Sequence, residues 1–161
     1  HLKLEANSTG WLGFGIADPN SGHMKGSDLL TVSVVNGVVK AEDRYAPFAP
    51  STYSEERGIG YLDLWAYEDA HNDWTVVCGE EIGGRTSVYV TRPLSTSDSQ
   101  DRSIRAGRNN IVWSRGASDA VGYHGKDRRV SQIAFFGESE SAIPAYDGVW
   151  EKRIANFSLQ P

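Results

Sequence analysis

The chain has 161 residues, 39% hydrophobic and 23% charged, which excludes a disordered polymer and is enough for a domain with a packed core. Its net charge of −5 leaves no basic face for phosphates, so nucleic acid is excluded as a partner. No apolar run approaches the roughly 20 residues of a membrane helix, so no direct membrane insertion is expected of this segment.

Residues 1–6 alternate polar and apolar, as a half-buried strand does. The chain opens in mid-strand, so the numbering is expected to begin inside a longer polypeptide. Asn7 to Gly10 is turn chemistry. Residues 11–17 form the second strand of a hairpin, with Leu12, Phe14 and Ile16 on one face and Trp11, Gly13 and Gly15 on the other. Glycine weakens a strand interior. A row of it leaves two explanations open: a flat or bulky group lies against that face, or another strand or large side chain packs close.

Asp18 to Gly26 is a loop. Leu29 to Val35 and Val38 to Ala41 are strands joined at Asn36-Gly37. Residues 46–60 form a loop, and Tyr61 to Tyr67 is a short strand. Trp74 to Cys78 and Thr86 to Thr91 pair across Gly83-Gly84. Asn110 to Ser114 is a strand, and the loop from Gly116 to Gly125 carries His124. Val130 to Phe136 is a strand, 138–145 a linker, and 149–157 a last strand. Nowhere do apolar residues recur at helical spacing for a dozen positions. Many short strands with frequent turns read as a β-sandwich or barrel.

Most chemistries lack their residues. There is no GxSxG elbow and no HExxH helix. The 21 carboxylates are scattered along the chain, and since any two could meet in space the sequence neither marks nor excludes a glycosidase pair. The glycines at 13 and 15 lie inside a strand with no helix after them, so they form no phosphate loop. The one cysteine, Cys78, sits in an apolar run and reads as a buried small hydrophobe. Without CxxC pairs there is no zinc knuckle or iron–sulfur cluster. Without CxxCH any haem is held non-covalently. His1, His23, His71 and His124 stand in polar or loop settings, none paired at short spacing. His1 could join a copper site only as a true N-terminus with a second histidine. Two glycosylation triplets, Asn7-Ser8-Thr9 and Asn156-Phe157-Ser158, are compatible with secretion.

Met24 is the only methionine, and it stands in a glycine-flanked loop rather than a core strand. Methionine is ordinarily a gap-filling hydrophobe. A thioether and an imidazole are also a suitable axial pair for haem iron.

The chain carries Gly10-Trp11-Leu12-Gly13-Phe14-Gly15, Met24-Lys25-Gly26-Ser27-Asp28, Asp43-Arg44-Tyr45, and Arg92-Pro93-Leu94 with Asp98 and Asp101. Ile111-Val112-Trp113 and Tyr123-His124-Gly125 with Arg128 complete the series. In this order, over roughly residues 1–136, it resembles the DOMON domain, a secreted module. The resemblance implies an all-β fold, an antiparallel β-sandwich of the DOMON type, as a single domain over 1–161. It leaves 137–161 as a C-terminal extension or edge strand, and the family's first strand has no counterpart before His1.

One branch of that family binds b-type haem, as in the cytochrome domain of cellobiose dehydrogenase and in cytochrome b561 fusions. By that likeness Met24 and His124 are the metal ligands of a non-covalent haem b. Trp11, Phe14, Trp113 and Tyr123 stand around it, with Arg128 or Lys25 toward a propionate. The ring would slot between the sheet edges. No residue is then catalytic. The module passes electrons to a redox partner protein or domain, in an extracellular or cell-surface setting. A second branch, at the front of copper monooxygenases resembling dopamine β-monooxygenase, implies a non-haem binding or regulatory module. A third implies carbohydrate recognition, with Trp65, Trp74 or Tyr67 on an exposed face.

Overall fold

The computed structural model describes residues 1–20, 22–47 and 66–135, together with the backbone of 155–158. Its strands are β1 (Leu2–Ala6), β2 (Leu12–Ile16), β3 (Asp28–Val35), β4 (Val38–Tyr45) and β5 (Tyr67–Glu68). They continue as β6 (Thr75–Ile82), β7 (Arg85–Thr91), β8 (Gly107–Arg115), β9 (Arg128–Phe135) and β10 (Ala155–Ser158). No helix occurs among the described residues. One sheet runs β10-β1-β7-β6 and the other β5-β4-β3-β2-β8-β9. The pairings are antiparallel except β1 with β10, where Leu2 stands opposite Ala155 in parallel register.

The core is built by alternation. Leu2, Leu4 and Ala6 of β1 and Val88 and Val90 of β7 point inward from the smaller sheet. Leu12, Phe14 and Ile16 of β2, Leu30, Val32 and Val34 of β3, and Ile111 of β8 meet them from the larger one. Because side chains alternate with period two, this commits Gly13, Gly15, Leu29, Thr31, Val112 and Ser114 to the opposite face of the larger sheet. Asn36 and Gly37 both have positive φ, as a two-residue hairpin turn demands.

Three expectations are corrected. β1 and β2 do not form a hairpin; they belong to different sheets, β1 pairing with β7 and β2 with β3 and β8. Inward alternation is the same for two strands of one hairpin and for two strands facing across a core, so the pattern did not distinguish them. Cys78 is exposed, not buried. It stands on an edge strand whose neighbours Val76 and Val77 are also open to solvent, so an apolar run did not mean an inner face. Trp74 is 7% exposed and belongs to the core, so it offers no platform for a sugar ring. Trp65, most of the strand read at 61–67, the linker at 138–145 and most of 149–157 lie outside the described residues.

Candidate functional site

The glycine-bearing strand β2 is flanked by two loops. The first follows it in sequence. Ser27 N–H donates to the Met24 carbonyl at 3.0 Å, and Gly26 has φ of 70°. That is a tight turn from Met24 to Ser27 with glycine in the position that needs left-handed backbone. The turn is pinned from both sides. Ser27 Oγ donates to the His23 carbonyl at 2.7 Å, and Gly26 N–H donates to Ala46 at 2.7 Å.

The second loop runs from β8 to β9 and carries His124. It is tied to β2 through Trp11, whose N–H donates to the Ser118 carbonyl at 3.0 Å and whose carbonyl accepts from Gly116 N–H at 2.8 Å. The indole of Trp11 fills the place where a side chain at Gly116 would stand, and its Cζ3 would lie 2.9 Å from a Cβ at Gly13. Close packing against a large side chain is therefore part of what those glycines do. Gly116→Ala is expected to destabilise the fold by about 1–3 kcal/mol, since the ring must move out of its niche; the midpoint of urea unfolding measures this.

Between the two loops lies a cavity of about 520 Å3, within the range of small-molecule and cofactor sites. Met24 and His124 both line it, as do Trp11, Phe14, Trp113 and Tyr123. All six residues singled out from the sequence therefore border one cavity. The cavity does not slot between the sheet edges. It lies against the face of the larger sheet turned away from the core, on Gly13, Leu29, Thr31, Val112 and Ser114, with Phe14 and Trp113 bordering it from the core side. Sequence reading missed the apolar rim. Val121, Tyr123 and Val130 are 38%, 61% and 51% exposed and all line this cavity. Large apolar side chains left open around one concavity suit an apolar ligand. Of these only Tyr123 was legible in advance; a rim valine has no signal that separates it from a surface valine.

The titratable groups are arranged for neutral-imidazole chemistry. Burial pushes the pKa of His124 below its ordinary value, and the nearby Arg128 charge adds to this against the Gly125 hydrogen bond. His124 Nδ1 lies 3.2 Å from the Gly125 carbonyl, which can only accept. Nδ1 therefore carries the proton, and in the neutral ring Nε2 is left with its lone pair, the state a metal ligand needs. Three arginines, Arg44, Arg128 and Arg129, line the same cavity; Lys25 does not. Arg44 is held by Thr31 Oγ1 at 3.1 Å, by Glu42 at 2.6 Å and by the Ala66 carbonyl at 3.3 Å. His23 also lines the cavity. His1 is exposed on the opposite sheet's first strand end and lies outside it.

A family model described as the DOMON domain matches residues 1–116. The fold is similar to the cytochrome domain of Myriococcum thermophilum cellobiose dehydrogenase, with a TM-score of 0.57 and 14% identity, covering 91% of this chain and 69% of that one. It is also similar to the cytochrome b domain of pyranose dehydrogenase from Coprinopsis cinerea, with a TM-score of 0.50 and 14% identity, covering 80% and 63%. No curated protein matches the chain. At such identities the structural likeness speaks for the fold alone. The family match spans well over half the sequence, and the chain belongs to the DOMON domain family.

Proposed function

We propose that this cavity holds a non-covalent haem b between Met24 and His124 and that the domain is an electron-transfer module. The observation that carries the reading is that the sole methionine and a neutral, pre-oriented histidine, 100 positions apart in sequence, line one apolar-rimmed cavity. When bound, a haem with thioether and imidazole ligands supplies reversible one-electron transfer with no coordination position open to oxygen.

The chain's own residues do the rest. The Gly125 carbonyl fixes the tautomer and orientation of His124. The hydrogen-bonded turn at 24–27 holds the methionine in place. Trp11 and Trp113 supply apolar surface beside the cavity, Phe14 backs it from the core, and Tyr123 stands at its open rim. Arg44, Arg128 and Arg129 offer positive charge to carboxylates such as propionates. The partner is a redox protein or domain, consistent with the cytochrome domains of dehydrogenases that share the fold. Asn7, exposed in the turn after β1, is accessible for glycosylation, which supports an extracellular or cell-surface setting.

Reconstitution with haemin is expected to give a low-spin absorption spectrum. Met24→Ala and His124→Ala each abolish it, and His23→Ala leaves it in place. An unchanged low-spin spectrum in both of the first two variants would sink the assignment and leave a non-haem binding module.

A further inference from the structure

A second constellation lies beneath the methionine turn, separate from the cavity. Asp28, Asp43 and Asp101 each bring a carboxylate oxygen within 4.8 Å of the others'. Asp28 and Asp43 are 2% and 1% exposed, and the Asp101 side chain is 5% exposed. Such carboxylates are rarely buried without compensation. The compensation here is partial. Arg92 Nη1 donates to Asp28 Oδ2 at 2.7 Å, and Arg102 N–H donates to the same oxygen at 2.8 Å. The Arg102 guanidinium reaches Asp18 at 2.7 Å. Arg92 Nη2 donates to the Arg102 carbonyl at 2.9 Å and stays 3.5 Å from Asp101 Oδ2, beyond a good hydrogen bond. Three carboxylates thus face one guanidinium, and with all three ionised two negative charges are left over.

Independently of the clustering, two buried oxygens of these residues have no hydrogen-bond donor. Asp43 Oδ2 accepts from Asp73 N–H at 3.0 Å, but the buried Asp43 Oδ1 accepts from nothing, and the buried Asp101 Oδ2 has no hydrogen bond, only the long ion pair with Arg92. A buried acceptor without a donor costs the fold its full desolvation. A hydrogen-bond donor or a metal cation would satisfy such oxygens, and a cation would also offset the negative charge around them.

We propose that Asp28, Asp43 and Asp101 form a site for a divalent hard cation of the size of calcium. Calcium takes oxygen ligands at about 2.3–2.6 Å, so ligands on opposite sides of one ion stand about 4.6–5.2 Å apart. Oxygens all within 4.8 Å of one another fit one coordination sphere. Two positive charges cancel the surplus. The ion reaches the turn above through two links. Asp28 directly follows the Met24–Ser27 turn, and Arg102, whose backbone binds Asp28, donates through Nε to the Gly26 carbonyl. Cation binding therefore stiffens the segment that presents Met24, whatever the cavity holds.

A second group, Asp69, His71 and Asp98, also brings three ligand atoms together and holds a donor-less buried oxygen, Asp69 Oδ2, but His71 is exposed and its Nδ1 is paired with Asp98 at 3.2 Å. It serves as the control. The test titrates the full chain with Tb3+ and reads luminescence sensitised by tryptophan, then displaces the ion with Ca2+. Trp74 is the antenna, since the Arg92 guanidinium lies 5.1 Å from its ring. Thermal unfolding is followed with Ca2+ and with EDTA. Saturable luminescence displaced by Ca2+ is expected. So is a rise in Tm of about 5–10 °C at a hundredfold excess over Kd.

Asp43→Asn keeps an acceptor for Asp73 N–H while removing a charge the apo cluster does not want. It is expected to fold with an unreduced Tm in EDTA and to lose both responses. Asp101→Asn is expected to do the same, and Asp98→Asn to leave both intact. Absence of a saturable signal overturns the proposal, as does a response that survives Asp43→Asn and Asp101→Asn or disappears with Asp98→Asn.

Discussion

Arg92→Ala is expected to destabilise the domain by about 3–5 kcal/mol, enough to unfold much of it at 37 °C. The guanidinium is 1% exposed and makes three kinds of contact at once. It pairs with Asp28, whose side chain is 2% exposed; it satisfies the Arg102 carbonyl; and it lies over the Trp74 ring. Removing it leaves the Asp28 carboxyl buried between Asp43 and Asp101 with no cation beside it, so folding must either bury an uncompensated charge or take up a proton. The loss depends on pH in a direction that can be worked out. Burial pushes Asp28 up to about 6, against the pull of Arg92, and burial pushes Asp43 up to about 7, helped by its two acidic neighbours. A carboxyl whose folded pKa is raised contributes stability that is fully present below its unfolded value and is lost as pH rises through the folded one. In EDTA, the contribution of Asp28 and Asp43 to stability therefore falls as pH rises from about 4 to about 7. In Arg92→Ala, where Asp28 is raised further, it falls more steeply. Urea midpoints at pH 5 and pH 8 measure it; an equal Arg92→Ala penalty at both would show that lost packing on Trp74, not charge, sets the cost.

Met24→His is expected to lower the midpoint potential of the haemin-reconstituted protein by on the order of 0.1 V or more. This tests the role of Met24 without emptying its position. A thioether donates weakly and favours the reduced metal, whereas a second imidazole favours the oxidised one. The turn from 24 to 27 is held by backbone hydrogen bonds and by Gly26, none of which the substitution touches. The fold should therefore survive while the potential moves. His23 sharpens the reading, because it lines the same cavity one residue earlier. Were His23 the ligand, the potential would stay where it was in Met24→His and the low-spin spectrum would vanish in His23→Ala. Redox titration of the two variants beside the parent separates these cases.

Much of this was legible in the sequence, and the physics explains which parts. Period-two alternation in β1 and β2 correctly grouped the side chains that face the core, Leu2, Leu4 and Ala6 on one and Leu12, Phe14 and Ile16 on the other. Asn36-Gly37 announced its turn through a backbone requirement that few residues meet. Partner choice between strands was not legible: an inward face says nothing about which sheet it belongs to, so β1 and β2 were read as one hairpin. Edge exposure was not legible either. Val76, Val77 and Cys78 read as a buried run, yet β6 is the last strand of its sheet and shows this stretch to solvent. At the site, Met24 stood out as the sole methionine, set in a loop, whereas His124 was singled out among four histidines only by the family resemblance. The buried acidic cluster did not stand out at all. Asp28, Asp43 and Asp101 are unremarked among 21 carboxylates until the fold brings them together.

The exposed thiol of Cys78 has a practical consequence. It is the chain's sole cysteine and stands on the smaller sheet, whereas the larger sheet forms the floor of the cavity. A maleimide-linked fluorophore can be attached there stoichiometrically, with no engineered residue. Light emitted from that label would be quenched by any strongly absorbing molecule lodged in the domain, giving an occupancy signal from a single covalent handle.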